Sequence, residues 1–171
     1  HLEGPASHFG GTVSLNLSGT TYYGRRLGDG RLVLRFVDGA ALVLDKTVLT
    51  GPMGVGSVDG SWAFSGPLDY RFRFDQAPLA ELFGPERAKS LGLTGLVTLA
   101  GKVEGDTTTP LVTAYLTSPG VGFAGKALGA TQLEARIEGR DLQLWGRPFD
   151  DARAQVKLKL REPYLFDGSL S

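Results

Sequence analysis

The chain has 171 residues, and its 18 Lys plus Arg balance 18 Asp plus Glu to give a formal net charge of zero. That balance excludes a charge-driven nucleic-acid binder, because neutralising phosphates requires a surplus of Lys and Arg. Cysteine is absent, which removes thiolate catalysis, disulfide frameworks and Cys-based zinc sites; at 42% hydrophobic residues the chain is too apolar for disorder and long enough for one domain or part of one.

The opening HLEGPASH holds both histidines, His1 and His8, and reads as an expression scar or a disordered lead-in over residues 1–10. Residues 11–171 read as one folded unit. The 25 glycines and 9 prolines punctuate short apolar alternations, the pattern of an all-β protein. The first clear strand is RLVLRFV, residues 31–37, with Leu32, Leu34 and Phe36 on one side and Arg31, Val33 and Arg35 on the other. ALVLDKTVL follows the Asp38-Gly39 turn, and a further strand carries Trp62 and Phe64 on one parity. LDYRFRFD, residues 68–75, is the cleanest period-2 segment: Leu68, Tyr70, Phe72 and Phe74 alternate with Asp69, Arg71, Arg73 and Asp75.

Residues 78–91 change character. Leu79, Leu82 and Phe83 stand at helical spacing, broken by Gly84-Pro85, so a short helical insertion is expected there. Strands resume with LTGLVTLAGKVEG, in which Leu93, Val97, Leu99 and Val103 share parity with Gly95 and Gly101. LVTAYLT follows Pro110, and residues 121–129 read as a glycine-rich crossing. TQLEARIEG places Leu133, Ala135 and Ile137 inward, and RDLQLWG and ARAQVKLKLRE complete about ten strands. Periodicity alone does not separate a sandwich, a barrel and an open array. It does say that the sheet is amphipathic over nearly its whole length, so its apolar face must close on itself, on another sheet or on a ligand.

The chemistry of catalysis is mostly missing. A hydrolytic triad needs a positioned base, usually His, and residues 9–171 contain none. Glu134, Glu138, Asp141 and Asp150-Asp151 supply carboxylates, but Glu134 and Glu138 flank Arg136 on a polar strand face and Asp150-Asp151 reads as a turn. GPMGVGSVDG, residues 51–60, lacks the Lys-Ser/Thr ending of a phosphate loop. The Asp-Gly pairs at Asp29, Asp38, Asp59 and Asp167 read as hairpin punctuation and not as calcium ligands. Lys157, Lys159 and Arg161 form a basic row best read as a solvated outer face. No enzyme activity, catalytic residue, metal or cofactor is expected.

The run LTGLVTLAGKVEG, Pro110 with LVTAYLT, Val121, Gly125 and ATQLEARIEGRDLQL resembles the repeating β unit of the AsmA-like and TamB superfamily of bacterial envelope proteins, and PLAELFGPERAKSLGLTG occupies the place of that family's helical segment. The resemblance covers residues 78–144 well and 31–75 more loosely, and it is a pattern of glycines and alternating hydrophobics without a catalytic signature. It implies an elongated β-sheet half-pipe, or β-taco, with a hydrophobic concave interior; the alternative is a closed β-sandwich or jelly roll. It further implies one segment of a longer periplasmic protein, anchored in the inner membrane, whose groove carries phospholipid acyl chains toward the outer membrane. The alternatives are TamB-like assistance to outer-membrane β-barrel assembly, with a barrel protein or nascent strands as partner, and a sandwich binding module. The residues expected to line the groove are Leu68, Tyr70, Phe72, Phe74, Leu93, Val97, Leu99, Leu133 and Ile137. Their parity is read from the sequence, and their facing a groove is what the resemblance implies. An edge-to-edge dimer of the isolated segment is also expected, because terminal strands expose unpaired backbone.

Overall fold

The computed structural model describes residues 2–3, 10–22, 25–150, 152–159 and 166–170. They form an all-β protein, a single open antiparallel sheet with two short helices. The strands are β1 (Leu2–Glu3), β2 (Gly10–Tyr22), β3 (Arg25–Val37), β4 (Ala41–Gly51), β5 (Gly54–Ala63) and β6 (Leu68–Pro78), then, after α1 (Leu79–Phe83) and α2 (Pro85–Leu91), β7 (Thr94–Gly105), β8 (Leu111–Phe123), β9 (Lys126–Glu138), β10 (Asp141–Phe149), β11 (Ala152–Lys159) and β12 (Phe166–Leu170). Each strand pairs with its neighbours in sequence, and the order runs β1 to β12 without a crossover.

This order corrects the expectation of a closed sandwich or jelly roll. Greek-key sandwiches bring strands distant in sequence side by side and bury the inner face of each sheet against another. Here every neighbour is sequential, and Val97 is the only large side chain among the described residues that is fully buried. A covered sheet face would bury many.

Tight turns make the meander possible. In the β3–β4 hairpin, Asp38 (φ 50°) and Gly39 (φ 63°) both adopt positive φ, a type I′ turn closed by the Ala40 N–H on the Val37 carbonyl at 2.9 Å. The residues 121–129, expected as a crossing, are instead the end of β8, a two-residue turn at Ala124-Gly125 and the start of β9. Of the other Asp-Gly pairs expected at turns, Asp29-Gly30 lies inside β3, Asp59-Gly60 inside β5 and Asp167-Gly168 inside β12. Phe64, expected on a strand, stands in the turn after β5 and meets Trp62 edge to face, with ring centroids 5.2 Å apart.

The helical insertion is two helices because Gly84, at φ 91°, breaks the first and Pro85 opens the second. Gly92 ends α2 in the left-handed conformation. The pair folds back onto one end of the sheet, where Leu79 joins Ala77 and Val97 in a small core, with Phe74, Leu82, Leu116 and Val121 packed around it. At the amino-terminal end, Leu2 and Glu3 pair with Gly11 and Gly10, and β2 is a 13-residue strand absent from the expected elements. His1, His8, Asp151, Leu160 and Arg161 lie outside the described residues.

Candidate functional site: an aligned apolar sheet face

Strand register decides which side chains share a face, and here it lines up apolar residues across most of the sheet. One row runs Val13, Leu34, Leu44, Gly60, Tyr70, Val103, Val112, Ile137, Leu142 and Leu158. The next contains Val58, Phe72, Gly101, Ala114, Ala135, Leu144 and Val156. A third contains Leu49, Gly56, Phe74, Leu99, Leu116, Leu133, Gly146 and Ala154. Because side chains alternate along each strand, these rows stand on the same face.

Three aromatic residues of β6 lie over glycines of the strands beside them. A Cβ on Gly60 would stand 2.7 Å from the Tyr70 ring, and one on Gly56 would stand 2.8 Å from the Phe74 ring. One on Gly101, in β7, would overlap the ring of Phe72. Each glycine is the direct register partner of its ring. Glycine inside a strand ordinarily weakens it, and a ring laid across the gap restores apolar contact. In the alternation of small and large residues read from β7, Gly101 thus makes room for a ring, whereas Gly95 stands against the Gly120 carbonyl of β8.

Of the nine residues expected to line a groove, seven fall on this half-buried face: Leu68, Tyr70, Phe72, Phe74, Leu99, Leu133 and Ile137. Phe74, Leu99 and Leu133 share one row, and Tyr70 and Ile137 another. Val97 has the same parity but is 1% exposed, enclosed beneath α1 with Ala77 and Leu79. Leu93 precedes β7, and its N–H bonds the Ala88 carbonyl of α2 at 2.8 Å, so it belongs to the helix–strand connection. Val58, Val112, Leu116, Leu142 and Leu144 also belong to the face and are missed by the sequence reading. Their alternation is visible in the sequence, but only register places them beside the aromatic rings.

The opposite face carries the ion pairs, with Tyr115 and Trp145 exposed among them in register with Glu134. Arg35 holds Asp45 at 2.8 Å, Arg73 holds Asp75 at 2.7 Å, and Arg136 holds Glu138 at 2.9 Å. Lys102 bonds Glu104 at 2.5 Å and lies 3.7 Å from Asp69. Hydrogen bonds from the arginines hold Asp45 and Asp75 below the usual carboxylate range, and Glu104 raises Lys102. On the apolar face, burial pushes the Tyr70 phenol up. The pairs keep this side in water and orient the sheet.

Of the carboxylates weighed for acid–base work, Glu138 and Asp141 are register partners across the β9–β10 turn, while Glu134 and Asp150 stand elsewhere. Glu138 is paired with Arg136, and Asp150 accepts the Ala130 N–H at 3.0 Å. No group of three or more potential metal ligands occurs among the described residues, and no described helix is long and apolar enough to cross a membrane. Residues 51–60 form the β4–β5 hairpin and strand β5. No protein-family model matches the chain, and no curated protein or solved structure matches it significantly.

Proposed function

We propose that this sheet curves into a half-pipe whose apolar face is its concave lining, and that the groove carries phospholipid acyl chains. The observation that carries the reading is the aligned apolar face itself: its rows span β2 to β11, their residues are half-buried, and neither a second sheet nor a long helix covers them among the described residues. Apolar surface left uncovered across many strands marks a binding surface. A methylene moved from water onto such a face gains about 0.8 kcal/mol, so a chain of about 15 methylenes gains on the order of 12 kcal/mol. No charged side chain interrupts the three central rows, so an acyl chain would meet similar surroundings along the sheet and slide without a deep trap.

On this reading the chain is a segment of a longer, inner-membrane-anchored envelope protein that bridges the periplasm, as the resemblance to the AsmA-like and TamB superfamily implies. Native-gel binding of a fluorescent phospholipid tests it. Binding by the wild-type chain and its loss in a folded Phe72→Asp variant are expected; a folded wild type that binds no lipid would contradict the reading.

A second reading, assistance to outer-membrane strand assembly, is favoured by the edge of the sheet. β1 pairs only with Gly10 and Gly11, and from Val13 onward no described strand lies on that side of β2. An extended client segment could add there by backbone pairing. Capture of such a segment that is unaffected by Phe72→Asp would favour this reading over acyl-chain transport.

A further inference from the structure

We infer that Tyr115, Glu134 and Trp145, on the face opposite the apolar rows, form a binding platform for an extended, neutral β-linked glycan of the cellulose or chitin type. Register brings the three together: Tyr115 of β8 and Trp145 of β10 are both direct partners of Glu134 in β9. Partners in register point to the same side of a sheet, so the two aromatic positions stand two strand spacings apart, about 10 Å, with the carboxylate between them.

Elsewhere on this face the side chains are consumed by ion pairs, as in Arg35 with Asp45, Arg73 with Asp75 and Lys102 with Glu104. Around the two rings the groups are left open. Tyr115 is 54% exposed and Trp145 37%. Half-buried Glu134 makes no hydrogen bond or ion pair with a described residue, and neither do the exposed amides of Gln143 and Gln155. A polar depression of about 420 Å³ adjoins Trp145 and is lined by Arg147, Arg153, Gln155 and Ser169. A second, of about 400 Å³, shares Arg147 and adds Thr117, Gln132 and Asp150.

These features choose the ligand by exclusion and by fit. Glu134, between the rings, would repel the phosphates of a nucleic acid, and exposed Arg147 and Lys157 on the adjoining rows would repel a cationic segment. A protein interface keeps charge out of its core, yet a carboxylate is the centre here. A sugar ring satisfies both halves of the surface. Its flat C–H face covers an aromatic ring, while the hydroxyls at its rim bond carboxylate, amide and guanidinium groups. In an extended β-linked chain every second sugar has the same orientation, and that repeat is close to the spacing of Tyr115 and Trp145. The sugar between them would lie over Glu134.

Isothermal titration calorimetry of the 171-residue chain with cellohexaose, N-acetylated chitohexaose, maltohexaose and oligouridylate tests the inference. Binding to at least one of the two β-linked hexamers is expected. Tyr115→Ala and Trp145→Ala, checked for folding by circular dichroism, should each weaken it about tenfold, the loss of one stacked ring. Trp145→Phe keeps a ring and should retain most of the affinity, and Glu134→Gln should weaken it. Maltohexaose, whose α-linkages curl the chain away from the repeat, should bind about tenfold more weakly or worse. The same variants should keep the phospholipid binding proposed for the other face, so the two readings fail separately. The inference is overturned if the folded wild type binds neither β-linked hexamer, if both alanine variants bind like the wild type, if maltohexaose binds as tightly, or if oligouridylate is the tighter ligand of the two rings.

Discussion

The ring of Phe72 occupies the space that a side chain on Gly101 would need. The two residues are register partners on adjacent strands, β6 and β7, so the apolar face is continuous at a point where its backbone has no side chain. The same relation joins Tyr70 to Gly60 and Phe74 to Gly56, on the other side of β6. β6 therefore covers both of its neighbours.

Gly101→Ala is expected to destabilise the sheet by about 1–3 kcal/mol, the usual range for overpacking. Its Cβ would also stand 2.5 Å from the Thr113 carbonyl oxygen, so Phe72→Ala should relieve only part of that cost. Urea unfolding of both single variants and the double variant should give a coupling of about 0.5 kcal/mol or more. Strict additivity would refute the contact.

Val97 and Ile137 share an apolar parity yet differ in surroundings. Val97 is 1% exposed beneath α1, whereas Ile137 is half-buried on the sheet face. Val97→Asp is expected to cost about 3 kcal/mol or more, because the charge has no route to water. Ile137→Asp should cost about half of that or less. Equal losses in thermal or urea unfolding would mean that the face is covered after all.

This contrast shows what is legible in the sequence and what is not. The parity of Leu68, Tyr70, Phe72 and Phe74 is plain, because alternation is a property of one strand. That Phe72 lies across Gly101 is not, because the match depends on register, which turns and bulges set over two strands. Val97 cannot be told from Leu99 by alternation, since its burial comes from helices that fold back over one end of the sheet. Glycines mislead in the same way: residues 121–129 look like a crossing, but Gly122 lies inside β8, paired with Thr94 and packed too close to its hydroxyl for a side chain. The strand at residues 10–22 is legible in the alternation of Val13, Leu15 and Leu17, and only the tag-like opening beside it hides it.

Ser118 is a buried polar residue in the bulge of β8. Its hydroxyl donates to the Leu96 carbonyl at 2.7 Å and accepts the Gly120 N–H at 3.2 Å. Ser118→Ala should cost about 1–2 kcal/mol by leaving those groups unsatisfied. Hydrogen exchange at the Gly120 amide should accelerate in the variant; an unchanged rate would contradict the role.

Asp106 organises the β7–β8 connection by accepting the N–H groups of Thr108 and Thr109, both at 2.8 Å, and the Thr108 hydroxyl at 2.6 Å. The Thr108 hydroxyl is the largest cause, followed by the two backbone donors, of a carboxyl lowered to about 2. A depressed carboxyl favours the folded loop above its unfolded value of about 3.9. That contribution disappears as the pH falls through about 2. An NMR titration of the Asp106 carboxyl should find its midpoint near the lower value, and Asp106→Asn should remove it from the profile. A midpoint near about 3.9 would show that the loop is not held this way.

The central claim is that lipid chains lie against one face of this sheet, and site-specific photo-crosslinking tests it most directly. A photoreactive residue is placed in turn at Phe72, Leu133 and Leu144 on the apolar face, and at Arg71, Glu134 and Gln143 on the charged face. The first three are expected to crosslink to phospholipid and the second three to remain unmodified. Crosslinks spread equally over both faces, or confined to the charged one, would contradict the account.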